Sequence, residues 1–80
     1  MLPFDKFKKL DVRPLLRAGV EPFPEIRKRI DALQPGEGLV VIAPFLPSPL
    51  IELLGSEGFD SQVERGEKSD WIVYFWRETG

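Results

Sequence analysis

The sequence predicts an α+β fold, a two-layer sandwich with two helices on one face of a four-stranded mixed sheet. Four segments of strand length are either continuously apolar or alternate apolar with polar residues. Two segments between them repeat apolar residues every three or four positions, as helices do. Prolines and glycines punctuate the boundaries. The predicted order is β-α-β-α-β-β. Because both crossovers contain helices, the first three strands are predicted to be parallel and the fourth antiparallel.

The first predicted strand covers residues 8–13, where Leu10 and Val12 alternate with charged residues and point inward. Pro14 ends it because proline has no N–H for a sheet ladder. Residues 14–21 are predicted to form a loop.

The first predicted helix opens at Pro22 or Pro24, since proline fits the first helical turn. Pro35-Gly36 ends it. Its apolar stripe has spacings of three, four and three and consists of Phe23, Ile26, Ile30 and Leu33.

The second predicted strand, residues 39–43, is continuously apolar, as is typical of an interior parallel strand. Ser48 is predicted to cap the second helix, with Pro49 at its first position. Gly58 ends that helix near Glu57. Its predicted apolar face comprises Leu50, Leu53 and Leu54.

The third predicted strand runs from Phe59 to Glu64 with one wet face, and the fourth from Trp71 to Arg77. The fourth is the most hydrophobic segment. The polar turn before it predicts that one set of side chains points inward: Trp71, Val73 and Phe75. The outward set forms an aromatic patch and a candidate interface: Ile72, Tyr74 and Trp76, extended by Val40 and Ile42 or by their alternates Leu39 and Val41. The alternative is that the amino-terminal arm, residues 1–7, folds across this face.

Composition excludes several classes of function. Eighty residues make a single domain, 1–80. The absence of cysteine and histidine rules out disulfides, zinc clusters and histidine catalysis, and no nucleophile or cofactor motif occurs. We therefore expect no catalytic residue, metal or cofactor, and no enzyme. The apolar stretches are too short to span a bilayer and no signal peptide is evident, so the predicted location is cytoplasmic. A net charge of −2 disfavours nucleic-acid binding.

Five short motifs occur in a specific order: LDVRP at 10–14, EPF at 21–23, PGE at 35–37, APFLPSPL at 43–50 and GF at 58–59. Together they resemble the TusA/SirA-like sulfur carriers, and most closely a cysteine-less branch known as a bacterial domain of unknown function. The resemblance implies a sheet of order 1-2-4-3. It places the carrier cysteine at Gly19, so it implies the carrier fold without persulfide chemistry.

The amino end of the first helix is a candidate anion site. Exposed N–H groups there, with Arg13 and Arg17 close in sequence, could hold a phosphate or a carboxylate beside Gly19. The alternative is a structural turn in which the Glu21 carboxylate itself fills the site.

These observations leave three functional hypotheses. The first is a non-enzymatic interaction module with a protein partner or self-association, because sulfur carriers act by docking to other proteins. The second is a domain that binds a small anion or metabolite. The third, RNA binding, is suggested only by analogy with the carboxyl-terminal domain of bacterial translation initiation factors.

Overall fold

This computed structural model describes residues 2–77. They contain four strands and three helices. The strands are β1 (Phe7–Asp11), β2 (Gly38–Ala43), β3 (Asp60–Arg65) and β4 (Trp71–Trp76). The helices are α1 (Arg13–Arg17), α2 (Phe23–Asp31) and α3 (Ser48–Ser56). Short 3-10 turns cover Phe4–Lys6 and Glu67–Ser69.

The strands form one sheet in the order β1-β2-β4-β3, which confirms the predicted α+β class and topology. β1 and β2 run parallel, and the connection between them contains α1 and α2. β4 runs antiparallel to both β2 and β3. The last strand of the described chain therefore sits inside the sheet, between two strands that precede it in sequence.

The core lies between the helices and one face of the sheet. β2 and β4 place Leu39, Val41, Val73 and Phe75 there, and all four are almost completely buried. The inward orientation predicted for Val73 and Phe75 is confirmed. The helices contribute the buried residues Ile26 and Ile30 from α2, and Leu50 and Leu54 from α3.

The segment 14–21, predicted as a loop, begins with the helix α1. Pro14 lies in its first turn, where a missing N–H costs nothing. Leu15 and Leu16 pack against the core from this helix. The prediction is wrong because Pro14 starts a helix here, and packing of the two leucines against the core stabilises that helix.

Two helix ends also differ from the prediction. α2 ends at Asp31, before Pro35-Gly36, although Leu33 still packs against the core from outside the helix. α3 begins at Ser48 after Pro47, and no side chain caps its amino end. Ser48 is therefore the first helical residue and not the cap. None of the helices in residues 2–77 has the length and apolarity needed to cross a bilayer.

Candidate functional site

Two phenylalanines of the amino-terminal arm, Phe4 and Phe7, pack on the outer sheet face. The Phe7 ring lies edge-on to Tyr74 at 5.1 Å and to Trp76 at 6.3 Å between ring centroids. The Phe4 ring lies 5.7 Å from Tyr74. Trp76 is consequently only 7% exposed, so the expectation that it stands in solvent is wrong.

The other residues of that candidate interface, Val40, Ile42 and Ile72, are partly buried. Burial raises the pKa of the Tyr74 phenol, and the negative charge of Glu64 raises it further. The indole N–H of Trp76 is buried without a hydrogen-bond partner among the described residues. This face offers a partner much less apolar surface than the sequence suggests, and its role as an interface stays a prediction.

Arg13, the first candidate for anion binding, is already occupied by two carboxylates. Its Nε donates to Asp11 Oδ1 at 2.8 Å and its Nη2 donates to Asp11 Oδ2 at 2.6 Å. Its Nη1 donates to Asp70 Oδ2, just before β4. The hydrogen bonds from Arg13 to Asp11 lower the pKa of the Asp11 carboxyl. Arg13 therefore joins the end of β1 to the start of β4, which leaves its guanidinium little capacity for a ligand.

The remaining candidates for that anion site do not form a site with Arg13. Arg17 is exposed at the end of α1, and Gly19 occupies a left-handed turn with φ of +74°. The Glu21 carboxylate accepts a hydrogen bond from the backbone N–H of Phe23 at 3.3 Å. Glu21 thus places its own negative charge at the amino end of α2, where a bound anion would otherwise lie.

A polar cavity of about 310 Å³ lies at the carboxyl ends of α2 and α3. Its main charges are paired: both terminal nitrogens of Arg27 donate to the Glu57 carboxylate at 2.8 Å. This pairing lowers the pKa of Glu57. Arg77 stacks over the Phe59 ring at 4.7 Å. Across residues 2–77, no group of three or more acidic side chains is placed to hold a metal ion.

An apolar groove of about 260 Å³ lies between the amino ends of α2 and α3. Almost fully buried side chains of the sheet side form its floor: Val12, Val41 and Ala43. Its first wall consists of Pro22, Phe23 and Ile26, and its second of Phe45, Pro47, Pro49, Leu50 and Leu53. Glu21, at one end, is the one charged lining residue in the described part of the chain.

Three large apolar side chains at the groove are exposed to solvent. Phe23 is 39%, Phe45 49% and Leu53 37% exposed. The helical spacing predicts Phe23 and Leu53 for the core, but Leu53 faces the groove while its near neighbour Ile51 packs against the core. Exposed apolar clusters of this kind mark interaction sites. The groove is therefore the strongest candidate site of the molecule.

Sequence reasoning missed the groove, although a signal for it was available. Its two walls carry two of the five motifs, EPF at 21–23 and APFLPSPL at 43–50. Phe45 lies in a proline-rich loop that follows β2, where no helix or strand periodicity predicts burial. The available signal was therefore the presence of these two motifs, which are distant in sequence and line the same groove in the folded chain.

Fold and groove together define a small two-layer α+β domain with an apolar groove between the amino ends of two of its helices. The chain belongs to the family of uncharacterized conserved proteins DUF2249, whose model matches residues 9–77. No curated protein and no solved structure matches it. The kinship with TusA/SirA-like sulfur carriers stays a prediction.

Proposed function

We propose that this domain is a non-enzymatic docking module whose groove binds an apolar segment of a partner protein. The observation that carries the proposal is the exposure of Phe23, Phe45 and Leu53 around a concave, apolar floor. A soluble domain gains nothing in stability from leaving such side chains in water. Burying one large apolar side chain of a partner in the groove contributes about 1.5–3 kcal/mol.

The lining of the groove favours binding because it is stiff. Pro22, Pro47 and Pro49 fix the backbone of both walls, so little conformational entropy is lost when a ligand is bound. The size of the groove also restricts the partner. A stable globular interface buries roughly 800 Å² per partner, whereas this groove accommodates one or two side chains. A short peptide segment fits it better than a folded surface.

The geometry favours docking over the binding of small anions. Arg13 already holds Asp11 and Asp70, and Glu21 occupies the amino end of α2. Docking also agrees with the resemblance to sulfur carriers, which bind partner proteins. The resemblance places the carrier cysteine at Gly19. This position is two residues before Glu21, which lines the groove.

The test is a selection of random peptides displayed on phage, with wild type, Phe45→Ser and Leu53→Ser as targets. Val63→Ser is the matched control, since Val63 is equally exposed but lies on β3, outside the groove lining. We expect peptides with large apolar side chains to be enriched on wild type and on Val63→Ser, and lost on both groove variants. Enrichment that survives both groove substitutions, or no enrichment on wild type, would contradict the proposal.

A further inference from the structure

The second wall of the groove belongs to an acidic stretch of the chain. Between Arg29 and Arg65 the sequence contains no lysine or arginine, but six acidic residues: Asp31, Glu37, Glu52, Glu57, Asp60 and Glu64. All of α3 and the loop before it lie in this stretch. The second wall of the groove is therefore built from a segment with no positive charge.

Two carboxylates are relevant to the groove, one in its lining and one beside it on α3. Glu21 lines one end. Glu52 is exposed on α3, three residues after Pro49 and one before Leu53, and side chains three apart are neighbours on a helix surface. Neither forms an ion pair within residues 2–77.

Three arginines of the first half of the chain form ion pairs outside the groove lining. Arg13 binds Asp11 and Asp70. Arg27 binds Asp31 and Glu57, and Arg29 binds Glu25 on the same helix: both pairings lie outside the groove lining. Arg17 is exposed on α1, and no lysine or arginine of the described chain lines the groove.

We infer that the segment bound in the groove is cationic: one or two large apolar side chains flanked by lysine or arginine. This inference rests on the proposed docking function. The apolar side chains fill the groove between Phe23 and Leu53, while the flanking cations face Glu21 and Glu52. Charge at the rim of a site acts mainly on association rate and specificity, and it is screened by salt.

The experiment uses three capped peptides that share the core Leu-Phe-Leu and carry two flanking lysines, serines or glutamates. Dissociation constants are measured by NMR shift titration of the full chain at low and high salt. The variants are Glu21→Gln/Glu52→Gln and, with the same change of charge on β3, Asp60→Asn/Glu64→Gln. The affinity of the peptides for Leu53→Ser shows whether binding uses the groove. Titration with free indole tests whether the groove binds a small molecule instead.

We expect the lysine peptide to bind about three- to tenfold more tightly than the serine peptide, as two exposed ion pairs allow, and the glutamate peptide to bind most weakly. This difference should shrink at high salt and in Glu21→Gln/Glu52→Gln, but not in the β3 variant. Equal affinities that Leu53→Ser abolishes would overturn the cationic preference and leave docking intact. No binding of any peptide would overturn both. Indole binding as tight as that of the lysine peptide would make the groove a small-molecule site and overturn the inference.

Discussion

The Phe7 ring rests directly on the backbone of Gly38. A β-carbon added to Gly38 would lie 2.5 Å and 2.6 Å from two carbons of that ring, and 2.6 Å from the carbonyl oxygen of Phe75. Contacts this short do not occur between real side chains, so Gly38 leaves the space that Phe7 occupies. Phe7, the last residue of the arm, is also the first residue of β1, and it pairs with Gly38 in the β1–β2 register.

Gly38→Ala should therefore destabilise the domain by about 1–3 kcal/mol, the usual cost of overpacking. The matched control is Gly55→Ala in α3, where an added β-carbon meets nothing within 4 Å. Alanine has the higher helix propensity, so this variant should gain about 0.5–1 kcal/mol. Urea unfolding of both variants measures the difference. Similar stability changes in the two would contradict the packing of Phe7 on Gly38.

Arg13→Met should lower the free energy of unfolding, because it leaves Asp11 and Asp70 without their shared donor. Arg17→Met removes the same charge from an exposed position and should change stability by less than about 0.5 kcal/mol. Chemical denaturation at neutral pH compares them. Equal effects would show that Arg13 does not join β1 to β4 in solution.

Acid should weaken the domain partly through Asp11. Its pKa is lowered in the folded state, chiefly by the hydrogen bond from the Arg13 side chain. A depressed carboxyl pKa contributes stability that is present above the ordinary aspartate value and is lost as the pH falls through the folded value. Asp11→Asn should therefore be less stable than wild type at neutral pH, by about 1 kcal/mol or less, and the gap should close below about pH 4.

Unfolding by urea at several pH values measures this gap. Asp60→Asn, which changes the charge equally at an exposed position of β3, is the control. A gap between Asp11→Asn and wild type that stays constant down to strong acid would contradict the assigned cause.

The turn between β3 and β4 holds two non-glycine residues in the left-handed region. Lys68 has φ of 56° and Ser69 φ of 68°, and the Asp70 N–H donates to the Glu67 carbonyl at 3.2 Å. This is the geometry that Asn-Gly accommodates best. The double substitution Lys68→Asn/Ser69→Gly should stabilise the domain by about 1 kcal/mol, measured by urea unfolding. Lys68→Ala should give no gain. A loss of stability in the double variant would contradict this turn geometry.

Tyr74 should report on the arm. Its pKa is raised, mainly by burial, and its neutral form is therefore favoured in the folded state. The stability this contributes is fully present below the ordinary tyrosine pKa and is lost as the pH rises through the folded value. Phe4→Ala removes one of the covering rings and should move the pKa of Tyr74 back toward its ordinary value. Because the chain has one tyrosine, its ultraviolet absorbance follows this group alone.

The control for that titration is Phe45→Ala, which removes an exposed ring at the groove. A Tyr74 pKa that does not respond to Phe4→Ala would mean that the arm leaves the sheet face in solution.

The elements best predicted from the sequence were those with an unambiguous pattern. The continuous apolar runs of β2 and β4 predict strands of the sheet, and the polar turn before β4 predicts that Val73 points into the core, as it does. The sequence leaves open whether Val41 or Val40 shares that side, and the structure buries Val41. The sequence places Leu53 wrongly in the core. Helical spacing shows that Leu53 lies on the apolar face of α3, but not that part of this face borders an open groove. The pairing of Arg13 with Asp70 joins residues 57 positions apart, and no local pattern encodes it.

The sequence also does not determine whether the outer face of the sheet is exposed or covered by the amino-terminal arm. Phe4 and Phe7 are readable as apolar, but only the packing of Phe7 against Gly38 decides where the arm lies. Short-range rules describe each segment well, whereas the candidate site depends on two loops that meet after folding.

The position of β4 in the sheet also constrains when the chain can fold during its synthesis. β3 has no partner in the sheet until β4 is available, since β4 separates it from β2. A nascent polypeptide that has reached only residue 70 can pair β1 with β2 but cannot close the hydrophobic core. Cotranslational folding of this domain must therefore wait until the segment Trp71–Trp76 has emerged from the ribosomal exit tunnel.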